Sequence, residues 1–227
     1  MRIAVIPARG GSKRIPRKNI RLFHGRPMIA WSISAALEAD LFDRIIVSTD
    51  DAEIAEIAQA EGAEVPFMRP AELADDMSAT VPVITHAMAQ IEDPVETLCC
   101  LYATAPFVQT QDLVLASKML DAGDADYVFP VTSYAFPIQR AVQLTENGRV
   151  EMFSPEYGQT RSQDLTEAYH DAGQFYFGRA DAWRAGRAVI GPNAQPLILP
   201  RHRVQDIDTP EDWARAEVMF AMTRDAV

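Results

Sequence analysis

Two groups of residues whose types and spacing could do chemistry stand at opposite ends of the chain. The first is AVIPARGGSKRIPRKNI, Ala4 to Ile20. An apolar run there breaks into a loop of Gly10, Gly11 and Ser12 flanked by Arg9, Lys13 and Lys18. Paired glycines let backbone N–H groups approach an anion closely, and the cations neutralise its charge, which is what phosphate oxygens require. Neither of the two widespread phosphate loops, G-x-G-x-x-G and G-x-x-x-x-G-K-[ST], is present. The plainer alternative is a solvated basic turn. The second group is QDIDTPEDW. If Asp206-Ile207-Asp208 is extended, its side chains alternate and both carboxylates leave one face. Two such carboxylates repel unless a cation lies between them, and Mg²⁺ takes one or two carboxylates plus substrate phosphates. The plainer alternative is that Asp208 helps Thr209 cap the following helix while Asp206 is a solvated turn residue.

The charge distribution sharpens the first group. The chain of 227 residues has a formal net charge of -11. Yet Arg2, Arg9, Lys13, Arg14, Arg17, Lys18, Arg21 and Arg26 all precede Glu38, the first acidic residue. An acidic body excludes broad nucleic-acid binding, and one basic loop on it favours a small anionic ligand. Hydrophobic content of 48% and charged content of 23% fit a globular chain that buries its own core as one domain. No apolar run approaches the roughly 18 residues of a membrane span, and the apolar start is too short for a signal peptide. The expectation is a cytoplasmic enzyme or binding protein without a membrane partner. Cys99 and Cys100 are adjacent, so on a strand they point to opposite faces and read as buried packing residues of a reducing compartment. His24, His86 and His202 have no ligand-like neighbours in sequence and read as structural.

The elements that must position these residues alternate between short apolar runs and helical patterns. IAVIP, RIIVSTD, AEVPF, TLCCLYA and ADYVFPVT read as five strands. Between them lie helical patterns at Pro27–Asp40, at Asp51–Gly62, at Ser78–Ile91 with Ser78 as cap, and in QDLVLASKML. This order predicts an α/β, mostly parallel sheet flanked by helices, with ligands bound beyond the carboxyl ends of the strands. The basic loop directly follows the first strand and so falls at that edge. After Ser133 the rhythm breaks. AFPIQRAVQLTENGRVEMF reads as a β-hairpin about its Asn-Gly pair. The sheet resumes with GQFYFG and QPLILP, and Thr209 and Pro210 open a final striped helix.

IPARGGSKRIPRKNI closely resembles the opening motif of the CMP-sugar synthetases, the cytidylyltransferases that activate sialic acid and related nonulosonic acids. IVSTDD, AEVPFMRP and QDIDTPEDW extend the likeness over nearly the whole chain. FPIQRA and TRSQDLTEAYHDAGQFYFG look most like the branch whose acceptor is pseudaminic acid. The resemblance implies a Rossmann-like nucleotidyltransferase fold in a single domain, 1–227, with a dimerisation arm at about 136–169 and a homodimer. It implies CTP and a nonulosonic acid as substrates and Mg²⁺ as cofactor. The anomeric hydroxyl of the sugar acid would attack the α-phosphate, releasing pyrophosphate. Arg9, Lys18 and Asp208 would be catalytic. Ala8, Gly10, Gly11, Ser12, Asn19, Arg69 and Ser78 would hold the nucleotide. Asp206 and Asp208 would hold the metal, which helps deprotonate the nucleophile.

One departure concerns the acceptor. Sialic acid synthetases carry a Gln near the start of a QPTSP-like stretch, and this chain has LYATAPF with Tyr102 at about that place. A sugar other than sialic acid is expected, with Tyr102, His170, Gln174 and Tyr176 as its contacts. Tyr176 and Phe175 could equally be strand packing, and His170 structural. Sialic acid or another nonulosonic acid is the second enzymatic reading. A non-catalytic nucleotide-binding protein is a third, and intact Arg9, Lys18, Asp206 and Asp208 argue against it.

Overall fold

The apolar start of the chain forms β1 (Arg2–Pro7), whose residues alternate between two cores. Ala4 and Ile6 belong to one, Ile3 and Val5 to the other, and all four are fully buried. A buried side chain of this size contributes about 1.5–3 kcal/mol, so a strand buried on both faces needs helices on both. The computed structural model that shows this describes residues 1–75 and 78–224.

Two short strands, β2 (Leu22–Phe23) and β3 (Arg26–Pro27), pair about a turn at His24 and Gly25 and lead into α1 (Met28–Glu38). Then come β4 (Arg44–Ser48), α2 (Ala52–Ala60), α3 (Thr80–Ala89), β5 (Thr97–Leu101), α4 (Thr110–Ala122) and β6 (Tyr127–Ser133). The hairpin of β7 (Val142–Leu144) and β8 (Val150–Met152) stands apart from the main sheet. The chain re-enters through β9 (Tyr169–Asp171) and β10 (Phe175–Arg179), and ends with α5 (Ala180–Arg184), β11 (Ala194–Ile198) and α6 (Pro210–Arg224).

The main sheet runs β11-β6-β10-β5-β1-β4, with β9 pairing the far end of β6. β1, β4, β5, β6 and β11 are parallel, whereas β10 is antiparallel to both β5 and β6. The excursion that carries the hairpin leaves and returns at the carboxyl edge of the sheet. β10 must therefore run back down it, and its first residues lie at the edge where ligands are expected. α1, α2 and α4 contribute Ile29, Ile33, Ile54 and Leu113 to one core, and α3 and α5 contribute Ile84 and Trp183 to the other. Cys99 and Cys100 fall in opposite cores as buried thiols, as their alternation requires.

Two local expectations need correction, and one alternative reading falls away. AEVPF is not a strand; it meets β4 through the isolated bridge Ile46↔Glu64, and the next bridge, Thr49↔Met68, lies just beyond both segments. Pro66, between them, has no N–H to give to a ladder. Ser78 does not cap α3, since Ala79 takes that position, and the Ser78 hydroxyl donates to Asp75 Oδ1 at 2.6 Å instead. Asp208 does not assist the cap of α6. Thr209 Oγ1 accepts the Asp212 N–H at 3.2 Å, and the Asp212 carboxylate accepts the Thr209 N–H at 2.8 Å. Asp212 closes the capping box, and the Asp208 carboxylate turns elsewhere.

A third apolar cluster decides the site. Ile15 of the basic loop, Ile207 between the two aspartates, and Trp213 and Phe220 of α6 are buried together with Phe23 and Met28. The two chemistry-bearing segments are anchored to the same core. No helix among the described residues is long and apolar enough to cross a membrane.

Candidate active site

The basic loop is held in shape by its own polar groups and by the end of β4. Asn19, buried, donates its Nδ2–H to the Arg9 carbonyl oxygen at 2.9 Å across the base of the loop. Arg17 adopts a φ of 55° and pairs with Asp51 and Glu53 of α2. The Arg17 guanidinium, hydrogen-bonded to it, holds the Asp51 carboxyl below the usual aspartate range. Gly10 passes directly over Asp51. A Cβ on Gly10 would overlap the Asp51 carboxylate and lie 3.1 Å from its Cβ, whereas one on Gly11 would meet nothing within 4 Å. Only the first glycine is required by close approach. The Ala8 N–H donates to Ser48 O at 3.0 Å and the Gly10 N–H to Asp50 Oδ1 at 3.1 Å. Two of the three backbone positions expected to meet phosphate, Ala8 and Gly10, thus already give their N–H groups to the end of β4 and to Asp50 just beyond it.

A cleft of about 320 Å³ opens beyond the carboxyl end of β1. Of the residues singled out in the sequence, Arg9, Ser12, Lys18, Asn19, Arg69, Ser78, Tyr102 and Asp208 line it. Lys18 Nζ donates to the Ile207 carbonyl oxygen at 2.7 Å and to Asp208 Oδ1 at 3.3 Å, and Arg14 Nη2 donates to Asp208 Oδ2 at 2.8 Å. Arg69 enters from the segment after α2 and is 6% exposed. Its Nε and Nη2 have no hydrogen-bond partner, and Asp50 approaches it only to 3.6 Å. Burial, and secondarily the charge of nearby Arg9, lowers its pKa. A buried guanidinium with open donors on a cleft wall is a ready partner for a carbonyl or phosphate oxygen.

Asp206 borders this arrangement. It is exposed and, unlike Asp208, is not among the residues that line the cleft; partial desolvation of its carboxyl, with the Asp208 charge second, raises its pKa above the usual range. Among the described residues no group of three or more His, Cys, Asp or Glu side chains could hold a metal. An incomplete pair of hard oxygen donors suits a divalent cation whose remaining ligands are phosphates and water.

The four acceptor candidates divide. Tyr102 faces the cleft, its hydroxyl 3.0 Å from Thr80 Oγ1. Tyr176 lies behind it, edge-on at 5.5 Å between ring centroids. Gln174 is turned inward, 3% exposed, with its Nε2–H donated to the Arg203 carbonyl oxygen at 2.6 Å. His170 packs on Tyr134 with ring centroids 4.8 Å apart, at the root of the hairpin segment. Thr80 and Thr104, both on the cleft, were missed in the sequence. SATVP and LYATAP carry no motif for them, and only the tertiary fold, which sets the start of α3 against the residues that follow β5, brings them together.

The sequence model of the cytidylyltransferase family matches residues 3–183. The chain is 42% identical to a pseudaminic acid cytidylyltransferase of Campylobacter jejuni subsp. jejuni serotype O:23/36 (strain 81-176), over 99% of this chain and 98% of that protein. It is 33% identical to N-acylneuraminate cytidylyltransferase B of Danio rerio, over 95% of this chain and 50% of that one. A solved CMP:2-keto-3-deoxy-manno-octonic acid synthetase complexed with CTP matches with a TM-score of 0.70, covering 98% of this chain and 99% of its own. At 20% identity this last likeness is one of fold. The chain belongs to the cytidylyltransferase family and is a CTP-dependent nucleotidyltransferase.

Proposed function

We propose that this enzyme transfers CMP from CTP to the anomeric hydroxyl of pseudaminic acid, releasing pyrophosphate. The observation that carries the reading is the convergence of Arg9, Lys18, Arg69 and Asp208 on one cleft. The acceptor is supported by 42% identity over the full length to a protein named for that sugar, against 33% to the N-acylneuraminate enzyme.

In this reading Arg9, Lys13 and Lys18 bind the triphosphate and offset the charge that develops on its oxygens as the α-phosphate is attacked. Ser12, Asn19 and the Gly11 backbone complete that wall. Arg69 and Ser78 receive the nucleoside end, where the open donors of Arg69 meet carbonyl oxygens. Asp206 and Asp208 hold Mg²⁺, which when bound screens phosphate charge and makes the acceptor hydroxyl more acidic. Tyr102 faces the sugar acid. The chain acts as a single domain in the cytoplasm, and the 136–169 arm pairs two copies into a homodimer.

The deciding experiment is pyrophosphate release from CTP and Mg²⁺ with a panel of nonulosonic acids. Turnover with pseudaminic acid at least tenfold above sialic acid is expected. Turnover only with another member of the panel replaces the acceptor, and none with any member defeats the reading.

A further inference from the structure

Asp206 and Asp208 lie on an irregular stretch, Val204 to Asp208, between the 3-10 turn Arg201–Arg203 and α6. Its downstream end is fixed by Ile207 in the third core and by Asp212, whose carboxylate accepts the Asp208 N–H at 3.2 Å. Its upstream end is fixed by Arg203. Arg203 Nη1 donates to Asp112 Oδ2 at 2.8 Å and Nη2 to Oδ1 at 3.1 Å, a bidentate pair whose side chains are 13% and 10% exposed. The Arg203 carbonyl oxygen accepts the Gln174 Nε2–H at 2.6 Å, and the Gln174 carbonyl oxygen accepts the Tyr102 N–H at 2.9 Å. Gly173, next to Gln174, stands beside the aspartates, since a Cβ on it would lie 4.0 Å from Asp206 Cγ. Arg203 thus joins α4 and the approach to β10 to the segment that carries the two carboxylates.

Stability alone gives little reason for an ion pair at this place. Desolvating two charges consumes most of their attraction, and an apolar pair of similar volume holds a fold as well or better. What a guanidinium fork on a carboxylate supplies is a fixed distance and angle. Asp112 is a rigid post for it, in the first turn of α4 and bonded to the Gln109 N–H at 3.4 Å. We propose that Asp112 and Arg203 are positioning residues that hold the Asp206–Asp208 segment in the place its divalent cation requires. The inference rests on the reading of these two aspartates as metal ligands given above.

The test uses the full chain with CTP and Mn²⁺, whose paramagnetic signal reports binding with no acceptor present. Removing one partner strands a buried charge, so the informative variant is the double one, Asp112→Leu with Arg203→Met, which replaces the pair by apolar groups. Its Tm should stay within about 5 °C of wild type. CTP affinity without metal, measured by calorimetry, should match wild type, because the basic loop is untouched. Mn²⁺ affinity of the CTP complex should fall at least about tenfold, the usual effect of losing a group that orients a metal ligand. Arg203→Lys keeps the charge and loses the fork, so it should weaken Mn²⁺ binding by a smaller factor, roughly threefold, and it carries the test if the double variant does not fold. Mn²⁺ affinity at the wild-type value in the folded variants overturns the proposal and leaves the proposed function standing. A joint fall of Tm, CTP affinity and Mn²⁺ affinity overturns it too, since it marks a pair that serves the fold alone. A wild-type CTP complex that takes up no more Mn²⁺ than CTP by itself overturns both the proposal and the metal reading on which it rests.

Discussion

Lys18 and Asp208 are 190 residues apart in sequence and meet at 3.3 Å in the cleft. The contact joins the two segments that carry the chemistry, and the buried Ile15 and Ile207 beside it fix both to one core. Lys18→Met should lower kcat by roughly 10²–10³, the usual effect of removing one cationic or oxyanion donor from a transition state. Asp208→Asn should raise the Mg²⁺ concentration needed for half-maximal rate as well as lower kcat. Asp208 is 37% exposed, so its ion pairs contribute at most about 1 kcal/mol and Tm should move by only a few degrees. Pyrophosphate release, an Mg²⁺ titration and calorimetric melting check the set. Unchanged turnover in either variant would remove these residues from the mechanism.

The two loop glycines should respond differently to the same substitution. Gly10→Ala forces a methyl group into the Asp51 carboxylate, which is itself clamped by Arg17 and bonded to the Ile54 N–H at 3.0 Å. Overpacking of this kind costs about 1–3 kcal/mol, and Tm should fall by roughly 2–4 °C for each of them. Displacing the loop should also weaken CTP binding. Gly11→Ala meets open space, so Tm should hold while the added methyl group stands where phosphate oxygens approach. A melting curve and a CTP titration on each variant separate the effects.

Arg69 trades stability for ligand. Its guanidinium is buried with two nitrogens lacking partners, and burial lowers its pKa. Arg69→Met keeps an unbranched side chain and removes the desolvated charge. Tm should rise, because an apolar group of similar volume often outperforms an incompletely paired buried ion. CTP affinity should fall at least about tenfold, the loss of one charge-assisted hydrogen bond. A fall in both would mean that the Asp50 contact at 3.6 Å is structural after all.

That the basic loop lies at the strand edge and that Asp208 meets it there was legible in sequence, because each belongs to a compact local signal. The same holds for the hairpin, whose Asn-Gly turn brings Thr145 and Arg149 together at 2.8 Å, and for Thr209 as a cap. The antiparallel course of β10 was not legible, because FYFGR is buried on both faces and reads the same in either direction. It follows from where the hairpin excursion returns, a tertiary fact. Gln174 looked like a ligand contact from its place beside Tyr176, yet strand alternation and the nearby Arg203 carbonyl turn it inward. Asp50 and Asp51 escaped notice as parts of the site because their partners in the basic loop, the Gly10 N–H and the Arg17 guanidinium, are far away in sequence.

Asp51 also gives a pH signature. Its folded pKa is lowered, so its stabilising contribution is present above the ordinary aspartate pKa of about 3.9 and is lost as pH falls through the folded value. Asp51→Asn keeps an N-cap acceptor for the Ile54 N–H, since Asn caps as well as Asp, and removes only the charge. Arg17 is 38% exposed, so the loss should stay within about 1 kcal/mol. Melting in a series of buffers should show the variant below wild type at neutral pH, with the gap closing as the medium becomes more acid than the usual aspartate range. A gap that persists at the acid end would assign the effect to packing against Gly10.

The arm makes the last prediction. Pairing of Val142 with Met152 and of Leu144 with Val150 puts four apolar side chains on one face of the β7–β8 hairpin, with Gln143 and Glu151 on the other. Leu144 and Val150 are 79% and 68% exposed, and Phe136 and Phe153 beside the hairpin are 83% and 64% exposed. A two-stranded hairpin is marginal in water by itself, and an apolar face of this kind is the sort that a second copy covers. Leu144→Lys combined with Val150→Glu replaces the face by a cross-strand ion pair that keeps the hairpin itself stable. Sedimentation should show a dimer for wild type and a monomer for the double variant, with far-UV circular dichroism unchanged. A wild-type monomer at micromolar concentration would defeat the homodimer, and a variant that still dimerises would place the contact between copies elsewhere on the molecule.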